Sequence, residues 1–152
     1  MKVTVLLRND HEALSALFDK FKKNSSRGQN GRREIFNEIR REILIHSQME
    51  QEIFYPALQT TASVRATELV SEAEQEHAGI ETLLEELNSM NGSDQKQFDS
   101  KMAQLMDQVN EHVQKEEEEI FDEARKNLQE YRLEELGLEM EQRRKILTTL
   151  AA

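Results

Sequence analysis

HSQMEQEIFYP, residues 46–56, sets a histidine and a glutamate four residues apart and then runs into the only proline of the chain. Four residues is just over one turn of an α-helix, so His46 and Glu50 leave the same face within reach of one point. Upstream, Phe36, Ile39 and Ile43 lead into His46 at steps of three and four, and Ile53 and Ala57 continue beyond Glu50. The two polar residues therefore fill consecutive slots of a stripe that is otherwise apolar, the side of a helix that faces a core.

Three other stretches carry the same kind of stripe. One runs Leu7, His11, Leu14, Phe18, Phe21; another runs Ala66, Val70, Ala73, His77, Ile80, Leu84, Leu87. The last runs Phe98, Met102, Leu105, Val109, His112, Glu116, with Ile120 one turn further. Between them lie NSSRGQNG (24–31), Pro56 with the following QTTAS, and NSMNGSD (88–94), which are helix breakers and loop formers. Four helical stretches result, 3–23, 32–56, 63–90 and 94–130, each holding one of the four histidines in its seam. Short connections make neighbours antiparallel, so the expectation is an all-α, up-down-up-down four-helix bundle with the histidines in one layer.

Residues 131–152 form a fifth helical segment, with Leu133, Leu136, Met140, Ile146, Leu147 and Leu150 as its apolar side chains. The expected organisation is thus a bundle over 1–130 and a C-terminal extension over 131–152 that packs on the bundle or forms a dimer contact. No tandem repeat is evident, and no low-complexity run beyond the EEEE of 116–119.

Composition agrees with this class and excludes others. The 152 residues include five glycines and one proline, few breakers for a chain rich in Glu, Gln, Leu, Lys, Arg and Ala. Thirty acidic against twenty basic residues give a formal charge of −10, which disfavours a sequence-blind grip on nucleic acid or anionic lipid. The absence of cysteine removes disulfides, thiolate zinc, iron–sulfur clusters and cysteine nucleophiles. The N-terminal MKVTVLLRNDHE has too short an apolar run for a signal peptide or a membrane span, so a cytoplasmic location is expected.

A buried histidine or glutamate without a partner costs several kcal/mol. His11, His46, His77 and His112, with Glu50 and Glu116, place six such groups in converging seams, and a metal centre satisfies neutral imidazoles and ionised carboxylates together. Nitrogen and oxygen donors without sulfur suit iron or manganese, with zinc also open. Six protein ligands exceed one tetrahedral site and match a bridged pair of ions roughly 3.5–4 Å apart. Glu81, four residues after His77, repeats the spacing of HSQME and HVQKE and is read as a further carboxylate ligand.

The DHE around His11, HSQMEQEIFYP, EHAGIE and HVQKEEEEIF together resemble the hemerythrin-like, or HHE cation-binding, domain family over about residues 5–126. The resemblance implies an antiparallel four-helix bundle with two non-haem iron ions and a bridging oxo or hydroxo group. It makes His11, His46, His77 and His112 terminal ligands and Glu50 and Glu116 bridges. Oxygen-carrying members have a second histidine where this chain has Glu81, and an aspartate five residues after the last histidine, where this chain has Glu117 beside Glu116. An additional anionic ligand at Glu81 would stabilise the ferric state. Chemistry with dioxygen, peroxide or nitric oxide in sensing, detoxification or iron handling, including weak peroxidase- or catalase-like activity, is thus expected over reversible oxygen carriage. The alternative is a metal- or redox-responsive signalling module in which the fifth segment changes its packing.

Other residues receive plainer readings. Tyr55, five residues beyond Glu50, could hydrogen-bond to or bind one metal, but is read as capping the bundle end beside Pro56, and Glu119 as a distant neighbour of the site. Met102, Leu105 and Met106 are read as core packing, and Arg143, Arg144 and Lys145 as an exposed helix face.

Overall fold

The computed structural model describes residues 1–24, 28–90 and 94–151, and among these it is helical with no strand. Helix α1 is Val3–Lys23. Helix α2 runs through Gly28–Met49, a π-helical turn Glu50–Phe54 and a final turn Tyr55–Gln59. Helix α3 is Val64–Ser89. Helix α4 runs through Gln95–Lys115, a second π-helical turn Glu116–Ile120 and Phe121–Asn127. Helix α5 is Glu130–Ala151.

Local chemistry sets several of these ends. The Ser63 side chain accepts from the Ala66 backbone N–H at 3.0 Å and Asp94 from that of Gln97 at 3.0 Å, satisfying donors that have no partner inside α3 and α4. The loop expected over 24–31 lies at 25–27 outside the described residues, and α2 already begins at Gly28. The 91–93 part of the loop expected at 88–94 also lies outside the described residues.

Two apolar cores sit one above the other. The lower contains Leu14, Phe18 and Phe21 from the end of α1, Phe36 and Ile39 from the start of α2, Leu84 and Leu87 from the end of α3, and Met102, Leu105 and Met106 from α4. The upper contains Val3 and Leu7, Phe54 and Leu58, Leu69 and Val70, and Phe121 and Ala124. Each successive helix therefore runs between the cores in the opposite sense to the one before, the up-down-up-down order expected of the seams.

Helix α5 adds Leu133, Leu136, Met140 and Leu147 to the upper core and leaves Ile146 and Leu150 exposed. It lies against α1 and α2. Gly137 permits that seat, because a Cβ there would stand 1.9 Å from the Met1 carbonyl oxygen. Arg143 and Arg144 do not form the exposed face expected of them. Both turn toward the bundle, Arg143 onto Glu52 at 2.7 and 3.0 Å and Arg144 onto Asp10 and Glu42. An acidic neighbouring surface draws them in, which a reading of one helix alone does not reveal.

Candidate metal centre

Between the two cores, the structure brings together His11 from α1, His46 and Glu50 from α2, His77 from α3, and His112 and Glu116 from α4. They form two groups, His11–His46–Glu50–Glu116 and Glu50–His77–His112–Glu116, in each of which one donor atom per residue lies within 4.8 Å of all the others. Both carboxylates belong to both groups. Glu50 Oε1 is 3.3 Å from His46 Nε2 and 3.2 Å from His77 Nε2. Glu116 reaches His11 Nε2 at 3.2 Å with one oxygen and His112 Nε2 at 3.5 Å with the other. Each carboxylate thus spans one histidine of either group, and the Nε2 atoms of His77 and His112 stand 3.0 Å apart.

The two π-helical turns begin at these carboxylates. The backbone N–H of Tyr55 bonds back to Glu50 O, and that of Phe121 to Glu116 O. Such a turn holds one residue more than an α-turn and often marks a functional site. Residues five positions on are carried over the carboxylate instead of falling to its flank. Tyr55 is accordingly not a cap at the bundle end. It is fully buried, its hydroxyl donates to Glu116 Oε2 at 2.5 Å, and it lies 3.3 Å from His77 Nε2. Beyond the bulge the stripe shifts by one residue, so that Phe54 and Leu58 are buried while Ile53 is only partly so.

The far ring nitrogens have partners of their own. His11 Nδ1 donates to Glu117 at 2.7 Å, His46 Nδ1 to Asp10 at 2.9 Å and His112 Nδ1 to Glu76 at 2.7 Å. Among the described residues, His77 Nδ1 has only the neutral Gln51 amide, at 3.3 Å. Cations stand behind the three carboxylates: Arg8 at 3.4 Å from Glu117, Arg144 on Asp10, and Lys115 at 3.8 Å from Glu76. Carboxylates in this position fix the ring orientation and raise the basicity of a ligating imidazole.

These partners disclose a repeat that the amino-acid letters conceal. His77, His112 and Glu116 follow His11, His46 and Glu50 at one offset of 66 residues (77 less 11, 112 less 46, 116 less 50). The surrounding residues obey it as well: Asp10 matches Glu76, Gln51 matches Glu117, and Tyr55 matches Phe121. The equal histidine intervals were the available signal.

Glu81 is not brought to this cluster; it lies partly buried along a surface hollow lined by Arg40, Leu44 and Glu85. The reason is chain direction. On the upward helices α2 and α4, four residues past the histidine leads toward the upper core, where Glu50 and Glu116 sit. On the downward α3 the same step leads toward the lower core, and the position level with those carboxylates is Ala73. Glu117, the rival to Glu116, engages the back of His11 instead. Glu119 points outward to Arg65 at 2.9 Å.

Burial disfavours an imidazolium at His46, but the charge of the nearby Glu50 carboxylate and the hydrogen bond to Asp10 outweigh it and push the pKa up to about 10. Burial likewise opposes charge on His112, yet Glu116, Glu50 and Glu76 raise it to about 12. Burial would raise the Glu50 carboxyl, and the adjacent His46 charge more than reverses this, holding it well below the usual range. Burial and the two nearby carboxylates push the Tyr55 hydroxyl well above its ordinary value, so it is a donor.

The donor set fits a metal. His11 Nε2, His46 Nε2, both oxygens of Glu50 and Glu116 Oε1 are buried without a hydrogen-bond partner among the described residues. Each such orphan costs about 1–3 kcal/mol, and a cation at their meeting points satisfies them at once. A groove of about 220 Å³ between α1 and α4 reaches His11, with Ser15, Asn110 and Glu117 along it.

Comparison with known proteins agrees with this geometry. Residues 3–124 match the family profile of the hemerythrin HHE cation binding domain. The crystal structure of a hemerythrin HHE cation binding domain-containing protein from Mycobacterium kansasii superposes with a TM-score of 0.82, covering 97% of this chain and 87% of that one at 23% identity. A curated protein named DNA nickase, from Nostoc sp., is 27% identical over 139 residues; the match takes in 91% of this chain but only 38% of the relative's length. No helix among the described residues is long and apolar enough to cross a membrane.

Proposed function

The chain belongs to the hemerythrin HHE cation-binding family, and from that premise we propose that it holds two non-haem iron ions. His11 and His46 would hold one, His77 and His112 the other, with Glu50 and Glu116 shared between them. The observation that carries this reading is the pair of buried carboxylates that each reach one histidine of both groups. When bound, an iron pair supplies one- and two-electron exchange with dioxygen, peroxide or nitric oxide.

The residues of the chain define how such a reactant would be met. The groove beside His11 gives a small molecule a way in. The Tyr55 hydroxyl keeps its proton next to Glu116, a carboxylate common to both groups, and is a buried donor beside His77. Asp10, Glu76 and Glu117 make three of the imidazoles more basic, which favours the oxidised state of a bound metal. The stabilisation expected of Glu81 thus comes from these three carboxylates. They favour oxidation chemistry in sensing, detoxification or iron handling over reversible oxygen carriage.

The test is peroxide consumption by anaerobically loaded protein, compared with the same iron free in buffer and with Glu50→Gln. Turnover above free iron that disappears in the variant supports the reading; equal rates in all three samples contradict it. A non-catalytic, metal-responsive module is the second reading, favoured by the contacts of α5 with residues flanking the ligands. It predicts that protease cutting at 128–129, between α4 and α5, changes with metal loading. The likeness to the Nostoc protein brings no nucleic-acid partner into the proposal, since a charge of −10 opposes one.

A further inference from the structure

Helix α5 contributes no residue to the two donor groups, yet two adjacent arginines on it each grip a residue beside a ligand. Arg143 binds both oxygens of Glu52, in the π-helical turn that begins at Glu50. Arg144 donates to the same Asp10 oxygen that accepts from His46 Nδ1 at 2.9 Å. The chain of contacts runs from α5 through a side chain of α1 to a histidine of α2. Asp10 and Arg144 are both well shielded, with side chains 19% and 29% exposed. The matching position in the other half has a different source for its cation: Lys115, behind Glu76, is on α4 itself, three residues past the histidine it supports.

We propose that Arg144 is a positioning residue for His46, acting through Asp10, and that docking of α5 and metal binding at the His11–His46 position strengthen each other. The physical basis is ordering. Without Arg144, the Asp10 carboxylate is free to turn to water, and the His46 ring loses the partner that aims Nε2 into the site. Partners of this kind are typically worth about 10–100-fold in metal affinity. Linkage then requires that metal tighten the seat of α5 by the same factor by which α5 tightens the metal. The other half of the site, whose supports come from within the four-helix bundle, has no such dependence.

This inference rests on the metal-binding reading above, and the experiment separates the two. Anaerobic ferrous titrations are compared for the unaltered chain, Arg144→Gln, Arg144→Lys, Asp10→Asn, and Arg144→Gln combined with Asp10→Asn. Glu130→Gln serves as a control, because it removes only the exposed Lys2–Glu130 bridge at the start of α5. Hydrogen exchange over 130–151 is followed with and without metal.

The expected result is that Arg144→Gln weakens one of two equivalents by about tenfold and abolishes the metal-dependent protection of α5. Lysine restores most of both effects, Glu130→Gln changes neither, and the double variant is no worse than Asp10→Asn alone. Two equivalents bound equally by the unaltered chain and Arg144→Gln would overturn the coupling and leave the metal centre standing. A global loosening equal in Arg144→Gln and Glu130→Gln would assign Arg144 a merely structural role. Failure of the unaltered chain to bind iron at all would overturn both readings.

Discussion

His11 and His77 occupy equivalent places 66 residues apart, but their surroundings differ. His11 is backed by the Glu117 carboxylate and stacked on Phe121, with rings 5° from parallel. His77 is backed by the Gln51 amide and faces the Tyr55 hydroxyl. Helix order, π-helical turns and shared carboxylates are common to both halves. Two side chains therefore make unequal surroundings within one repeated frame: on the proposed two-ion reading, the frame would set where the ions sit, and the partners how tightly each is held and how readily it is oxidised.

The largest effect should come from breaking what the halves share. Glu116→Ala removes a donor common to both groups, so metal content by mass spectrometry should fall from about two ions per chain to nearly none. His11→Ala and His77→Ala should each leave about one. If Glu116→Ala retained one ion firmly, the carboxylate would belong to a single half.

The response to pH acts on both halves together. His46 and His112, one from each, have pKa values raised to about 10 and about 12, above the ordinary value near 6.5. Their protons therefore stabilise the fold without metal fully below about pH 6.5, and that contribution is lost as pH rises through about 10 and above. Metal must displace those protons, so its apparent affinity should rise over the same window. The melting temperature should fall with pH without metal, and the increment on adding metal should grow. An increment that shrank from pH 6.5 to 9 would contradict this assignment.

Substitutions that make the halves alike sharpen the comparison. Gln51→Glu gives His77 the support that His11 has, and ferrous titration should show the weaker equivalent tightening by about tenfold. An unchanged isotherm would mean that the amide and the carboxylate serve the ring equally. Tyr55→Phe copies Phe121 and is the smallest change. Losing the buried hydrogen bond to Glu116 should cost about 1–2 kcal/mol, or about 2–8 °C in Tm. A more stable variant would show that the hydroxyl is strained where it stands.

Much of this was legible in the letters. The four seams, the antiparallel order and the six converging residues follow from helical periodicity, because the ligands occupy core slots. The rest depends on geometry that a period of 3.6 does not contain. That period does not show the extra residue in the π-helical turn, which carries Tyr55 over Glu50, and a His–x–x–x–Glu spacing such as His77–Glu81 reads alike on a helix running up or down. Asp10 and Glu76 each precede a histidine in sequence yet serve one on the neighbouring helix, and Arg144 crosses from a fifth helix. The repeat was hidden because only positions, and few identities, recur.

The most direct measurement of the central claim is the iron stoichiometry of the full chain by native mass spectrometry, after anaerobic ferrous loading and removal of free metal. Two irons per chain are predicted, bound together and lost together as Glu50 or Glu116 is replaced. A chain that holds a single iron, or none, would contradict a centre built on two shared carboxylates.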